Sequence, residues 1–270
     1  MMEKIGIIGI GVLGSAVASY YEENGFKVFC YDKFKNIGSI EDVNKADIVF
    51  VCVPTPRGKN NECDISIVDE AIGYLAGEKI VIIKSTVVPF TTDALQVEYS
   101  QHDLIFNPEF LTEKRARSDF AKPIFNIIGY SLKIEHSFTS ARIGVKIATI
   151  LPYAPVRIMP AAAAEMFKYV RNCYLATKNS FFSQIYDLCQ QTGIDYSFIK
   201  NCAEVDPWIG PEHLDPNQDG YRGFNGKCLP KDTEALLKFA DECGVDLSVL
   251  KGVVEYNSKL LVLQGIKKGS

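Results

Sequence analysis

The stretch that most constrains this chain is Lys4-Ile5-Gly6-Ile7-Ile8 followed at once by Gly9-Ile10-Gly11-Val12-Leu13-Gly14, ahead of a helix-compatible run over 12–24. In a strand–turn–helix unit the first glycine makes the tight turn, the second lets backbone approach a pyrophosphate, and the third lets the helix pack on the strand. The helix N-terminus then faces the phosphates. The next apolar run, Lys27–Tyr31, ends on Asp32, an acid placed to accept hydrogen bonds from an adenosine ribose and to repel a 2′-phosphate, which favours NAD over NADP. Taken alone, the same residues also describe a tight turn beside a surface aspartate.

Further apolar runs lie at 48–53, 79–84, 103–106 and 124–128, and they are continuous instead of alternating. That is the pattern of parallel strands covered on both faces. Helical stretches at 65–76 and 91–99 make the order βαβαβ, and right-handed crossovers turn it into a doubly wound sheet. Between 131 and 159 the pattern supports one helix and then a short strand near 156–159. Pro160, four alanines and an unbroken run to Gln191 before Gly193 predict a helix of about thirty residues, started by Pro and stopped by Gly. Its apolar positions Met166, Phe167, Val170, Cys173, Tyr174, Phe181, Ile185 and Leu188 cover more than one stripe, as at a domain junction or dimer axis. Shorter helices follow near 196–202, 231–243 and 247–262, with a Gly/Pro/Asn-rich loop over 206–226. The expected fold is α/β: a doubly wound parallel Rossmann-type sheet over 1–158, then an all-α domain with a long central helix over 159–270.

Charge excludes some functions. Lys plus Arg total 29 against 33 Asp plus Glu, and no basic run exceeds Lys267-Lys268, so the footprint needed for nucleic acid or an anionic membrane is missing. No apolar run approaches the roughly 20 residues of a membrane span, and Met1 leads almost directly into a strand. Eight cysteines in no C-x-x-C spacing, several inside apolar runs such as 49–53, suit a reducing cytoplasm; three scattered histidines give no reason to expect a metal.

Val53-Pro54-Thr55-Pro56 and Ser85-Thr86-Val87 close the third and fourth strands, at the edge where doubly wound folds bind ligands. Asn107-Pro108-Glu109-Phe110-Leu111-Thr112-Glu113 follows the fifth and supplies two carboxylates that share a face if the segment is a helical turn. On the long helix Glu165, Lys168 and Asn172 share a face, and the last two form a donor pair suited to an oxyanion; a solvated, salt-bridged face is the alternative. Finally, the loop from Gly220 to Lys227 leads into Cys228, and Pro230 starts a helix. Cys228 thus sits beside a helix N-terminus with Lys227 and Lys231 near it, and both dipole and cations favour a thiolate.

Together these motifs resemble the UDP-glucose/GDP-mannose dehydrogenase family. The resemblance runs through the turn at 9–14, V-P-T-P, S-T-V, N-P-E-F-L, A-E-M-x-K-x-x-x-N at 164–172 and G-F-x-G-x-C-x-P-K-D at 223–232. It implies an NAD-dependent, four-electron oxidation of the C6 alcohol of a nucleotide sugar, UDP-glucose foremost, to a uronic acid, as in polysaccharide biosynthesis. In that chemistry Cys228 forms a thiohemiacetal and then a thioester. Lys168 and Asn172 stabilise oxyanions, and Asp232 orients Lys168 or a water. Glu113, or failing it Glu109, activates the hydrolytic water, and Thr86 positions that water or the cofactor. The resemblance further places Gly9, Ile10, Gly11, Val12, Leu13, Gly14, Asp32, Val53, Pro54, Thr55, Ser85, Thr86 and Glu113 on the cofactor. It places Glu109, Phe110, Leu111, Lys168, Asn172 and the segment Asp219 to Gly223, with Tyr221 and Arg222, on the sugar nucleotide. A homodimer through the helix at 161–191 is implied as well.

Three departures stand out. Asn225 occupies a usual glycine position, tolerable because Asn accepts a left-handed backbone. Trp208 stands where many members carry an Arg directed at the partner subunit's sugar site. The chain also stops soon after Asn257, where the family ordinarily continues into a second Rossmann-like domain, so it reads as a naturally short member or one lacking its last domain. Two other readings compete: a two-electron hydroxyacid dehydrogenase of the 6-phosphogluconate group, which needs no nucleophilic cysteine, and a catalytically silent NAD-binding dimer.

Overall fold

The computed structural model describes residues 3–133, 137–217 and 220–267. Two compact units are present: one runs through Pro56 and resumes over Asp64–Lys168, the other comprises Arg57–Cys63 and the chain from Tyr169 onward.

The first unit is built on a seven-stranded sheet of order β2-β1-β3-β4-β5-β6-β7. The strands are β1 Lys4–Ile8, β2 Lys27–Tyr31, β3 Ile48–Val51, β4 Ile80–Ile83, β5 Asp103–Phe106, β6 Asn126–Tyr130 and β7 Val156–Pro160. The first five run parallel. Their unbroken apolar runs have the expected consequence: Ile5, Ile7, Phe50 and Ile82 pack into one core and Val49, Val51, Val81 and Ile83 into the other. β1 joins β2 on one side and β3 on the other, which opens a crevice at their carboxyl ends. α1 Val12–Glu23, α2 Ile40–Val43, α3 Ser66–Gly73 and α4 Thr91–Glu98 connect the parallel strands.

β6 breaks the parallel expectation by pairing antiparallel to β5. The connection holds only a 3-10 turn, Glu113–Arg115, and α5 Ala116–Ala121; a helix of six residues is about 9 Å long and does not carry the chain back to the opposite edge. The 14-residue α6, Ser137–Ile150, does, and β7 is parallel to β6. β6 also begins two residues later than its apolar pattern predicts. Asn126 is tied by its backbone to Pro155 O and by its side chain to Pro152 O, each at 2.8 Å, while Ile124 lies exposed.

α7 runs from Ala161 to Thr192, 32 residues, and the division between the units falls inside it at Lys168. Pro160, expected at its first position, instead closes β7. In the second unit the later part of α7 is joined by α8 Tyr196–Val205, α9 Leu229–Glu242 and α10 Ser248–Leu263, with Phe182, Cys189, Tyr196, Ala203 and Leu214 as a core. The hairpin of Arg57–Cys63 belongs here, held by an ion pair from Arg57 to Glu234 at 3.0 Å. α7 is not buried on every side. Tyr169, Cys173 and Ala176 are inside, but Phe167, Tyr174, Phe181 and Leu188, at heptad spacing, are exposed. Among the described residues no helix is long and apolar enough to cross a membrane.

Candidate functional site

Each glycine of the first turn has its own steric reason. Gly9 has φ +90°, and a Cβ there would meet the Cys52 backbone at 2.8 Å; a Cβ on Gly14 would lie 1.9 Å from Gly9 O. Gly11, in contrast, has nothing within 4 Å of that position, so its face is open to an approaching ligand. Gly11 is also the N-cap of α1 and offers no side-chain acceptor to the first-turn N–H groups, which suits an anion. Asp32 is fixed against this turn: its Oδ2 accepts from Ile10 N at 2.8 Å and its Oδ1 from Phe34 N and Lys35 N at 3.0 Å. A pocket opens beside it, with Gly9, Asp32, Val53, Pro54, Glu70 and Tyr74 in its wall. Lys33 on its rim is pushed up to about 12 by hydrogen bonds to Glu70 and Tyr74.

The segments that close β3 and β4 are stitched to each other. Thr55 Oγ1 donates to Thr86 O at 2.7 Å and Ser85 Oγ to Val53 O at 2.6 Å. Lys84, at the end of an apolar strand and 3% exposed, was not singled out by its sequence context. It donates to Asn107 Oδ1 at 2.7 Å and pairs with Glu109 at 3.3 Å, anchoring the N-P-E segment. A lysine ending a continuous apolar run is the signal that marks it.

Asn107 to Thr112 is irregular rather than helical, so Glu109 and Glu113 do not share a helical face. Pro108 and the anchoring by Lys84 set this path. Glu109 is half-buried and accepts from Phe110 N and Leu111 N at 2.6 and 2.8 Å, whereas Glu113 is exposed on the 3-10 turn. Phe110 packs edge-on to Phe167, and Lys168 lies 5.3 Å from the Phe110 ring centre and donates to Glu109 O. Leu111 is half-buried against the core. Glu165 is no solvated residue: fully buried, it accepts from Phe90 N, Thr92 N and Thr92 Oγ1 at the start of α4.

In the second unit, Asn172 Nδ2 donates to Asp232 Oδ2 at 2.5 Å, and Lys231 Nζ pairs with Asp232 Oδ1 at 2.7 Å. Asp232, 1% exposed, therefore holds Asn172 and Lys231. Burial acts to lower the Lys231 ammonium, but the Asp232 carboxylate, by its charge and its hydrogen bond, together with its other neighbours outweighs burial and raises the group. Cys228 is the N-cap of α9, with Pro230 in the first turn, and it is exposed. Burial pushes the Cys52 and Cys173 thiols up to about 12, which leaves them unreactive.

The loop before Cys228 is fastened to α10. Asn257, 1% exposed, accepts from Phe224 N and donates to Phe224 O, both at 2.8 Å; Gln264 brackets Arg222 in the same way. Gly223 has φ +90°, and a Cβ there would strike Asn257 Oδ1 at 2.4 Å. Arg222 pairs with Asp187 at 2.7 Å and lies over the Tyr186 ring, while Tyr221 is half-buried beside it. Asn225 does not use a left-handed backbone; its side chain donates to Lys267 O at 3.0 Å. Asp219 lies outside the described residues. Asn257 and Glu70 escape sequence reasoning because each acts through a partner far away in the chain.

A glycine turn open at its second position, an acid closing β2 and a pocket beside it make the first unit that of an NAD-dependent dehydrogenase. The sequence pattern of the "UDP-glucose/GDP-mannose dehydrogenase family, NAD binding domain" matches residues 33–142, and that of the same family's central domain matches 162–259. The chain is 32% identical to UDP-glucose 6-dehydrogenase TuaD of Bacillus subtilis over 99% of its own length and 67% of that protein. It superposes on a UDP-glucose dehydrogenase from Pyrobaculum islandicum with a TM-score of 0.82 and 25% identity, covering 96% of this chain and 68% of the other. The 3-hydroxyisobutyrate dehydrogenase of Mycobacterium tuberculosis shares the fold alone, at a TM-score of 0.71 and 18% identity over 97% of this chain and 94% of that one. The chain belongs to the UDP-glucose/GDP-mannose dehydrogenase family. It spans about two thirds of the length of the first two of these relatives.

Proposed function

We propose that the protein oxidises the C6 alcohol of a nucleotide sugar, UDP-glucose foremost, to the uronic acid, with Cys228 carrying the acyl group as a thioester. The observation that carries this reading is the exposed Cys228 at the N-cap of α9, where an anion is favoured, one turn from Lys231 and Asp232. A two-electron dehydrogenase has no use for it.

NAD supplies the hydride acceptor for both oxidations. Its holding residues are the turn Gly9 to Gly14, Asp32, Val53 to Thr55, Ser85 and Thr86; the open face of Gly11 supports the fit. The aldehyde from the first oxidation is attacked by the Cys228 thiolate, which forms a C–S bond and a thiohemiacetal oxyanion. Loss of the second hydride leaves the thioester. Water then adds to the acyl carbon, the C–S bond breaks, and the thiolate departs from the acid. Lys168 and Asn172, one turn apart on α7, supply donors to the oxyanions. An ammonium carries three donors and an amide two, which suits both groups to bonding more than one oxygen. Asp232 orients Asn172. Glu109, half-buried and next to Lys84, suits water activation better than exposed Glu113. The exposed heptad seam of α7 packs against a second copy.

Incubating the chain with NAD and a panel of nucleotide sugars tests the reading. Two NADH per uronic acid are expected, and Cys228→Ser should bind NAD yet release no acid. One NADH with accumulating aldehyde, and a Ser variant as active as the parent, would refute the thioester route.

A further inference from the structure

The cofactor pocket carries a second determinant of dinucleotide choice that the Asp32 rule does not include. Asp32 is followed by Lys33, and Lys35 is close, so the loop presents an acid that repels a 2′-phosphate together with cations that attract one. Read locally, the two lysines oppose the preference for NAD that Asp32 sets. Tertiary contacts decide it. Lys35 Nζ donates to Ile10 O at 2.6 Å, which directs it onto the glycine turn. Lys33 Nζ reaches across the pocket mouth to α3, donating to Glu70 Oε1 at 2.7 Å and to Tyr74 Oη at 3.3 Å. The Tyr74 hydroxyl donates to the same Glu70 oxygen, and its ring meets Tyr31 edge-on with centroids 6.3 Å apart, which fixes the acceptor side of the latch. Lys33, Glu70 and Tyr74 all line the pocket with Asp32.

We propose that Glu70, by holding Lys33 across the pocket mouth, disfavours dinucleotides that carry a 2′-phosphate. The inference rests on the NAD site described above and adds to it a specificity-determining residue on a different element. Lys33 and Glu70 side chains are 51% and 42% exposed, so solvent screens the pair and the effect is modest. Releasing Lys33 toward a phosphate is worth about fivefold in relative affinity.

The test is calorimetric titration of the full chain with NAD and with NADP at low salt, for the parent, Glu70→Gln and the double variant Lys33→Met/Glu70→Gln. Glu70→Gln should improve the NADP-to-NAD affinity ratio by about fivefold. The double variant should return the ratio to the parent value, and high salt should erase the gain. An unchanged ratio in Glu70→Gln, or a gain that survives removal of Lys33, would overturn the proposal. A parent chain that binds neither dinucleotide would instead overturn the cofactor site itself, a separate result.

Discussion

Glu165 offers the clearest test of how this fold uses a buried charge. Its carboxyl is fully buried where α7 meets the start of α4, and three donors converge on it: Phe90 N at 2.7 Å, Thr92 N at 2.8 Å and Thr92 Oγ1 at 2.6 Å. The donors favour the carboxylate and burial opposes it. Burial wins, raising the group from its ordinary 4.5 to about 7. Below pH 4.5 the carboxyl is neutral whether the chain is folded or unfolded, and it costs nothing. Between 4.5 and 7 the unfolded chain loses the proton while the folded chain keeps it, so stability falls as pH rises. Above 7 the full penalty is present, about 3 kcal/mol at roughly 1.4 kcal/mol per pH unit. In Glu165→Gln this titration is gone, but the amide nitrogen faces a backbone N–H donor, Phe90 N or Thr92 N, which costs about 1–2 kcal/mol at every pH. The variant should therefore be less stable than the parent at pH 5, and the gap should close or reverse by pH 8. Urea unfolding of both chains across that range reads the difference directly, since all other titrating groups are common to the two. Parallel stability curves would show that the three hydrogen bonds, and not desolvation, govern this carboxyl.

The glycine turn yields a contrast. Gly14→Ala places a Cβ against Gly9 O and should destabilise the first unit by about 3 kcal/mol, while Gly11→Ala should fold normally and bind NAD about tenfold more weakly; thermal unfolding and calorimetry with the order reversed would refute the assignment. Asn257→Ala removes both bonds to Phe224 and should cost about 2 kcal/mol and slow turnover with NAD affinity unchanged, so an unaffected rate would show that the loop before Cys228 needs no anchor. Phe181→Asp sits mid-seam on α7, where the parent phenylalanine is 57% exposed in the single chain. Sedimentation should show a dimer for the parent and a monomer for the variant; a monomeric parent would remove the seam's proposed role.

What a sequence makes legible here is whatever is decided within a few residues. The apolar runs of β1, β3 and β4 read correctly because both their faces are buried, so no residue in them needed a polar alternation. Gly9 and Gly14 of the turn read correctly because each is demanded by backbone atoms close at hand, whereas Gly11 faces open space; Cys228 is an N-cap because Pro230 presets the first turn behind it. The misread features depend on distant partners. The path after β5 is set by Lys84 reaching Asn107 and Glu109, and that anchoring separates two carboxylates that spacing alone would have put on one face. Asp232 meets Asn172 across 60 positions, and Glu165 meets Thr92 across 73. Glu165 looked like a member of a polar helix face and Asp232 was expected to orient Lys168 or a water, yet both are buried acceptors, and Asp232 holds Asn172 and Lys231. The Lys33 latch is the same lesson at the cofactor: an Asp-Lys pair is ambiguous locally, and the residue that resolves it stands 37 positions away on α3. Charge patterns near a binding loop therefore specify which chemistry is possible, and the helix packed against the loop selects among the possibilities.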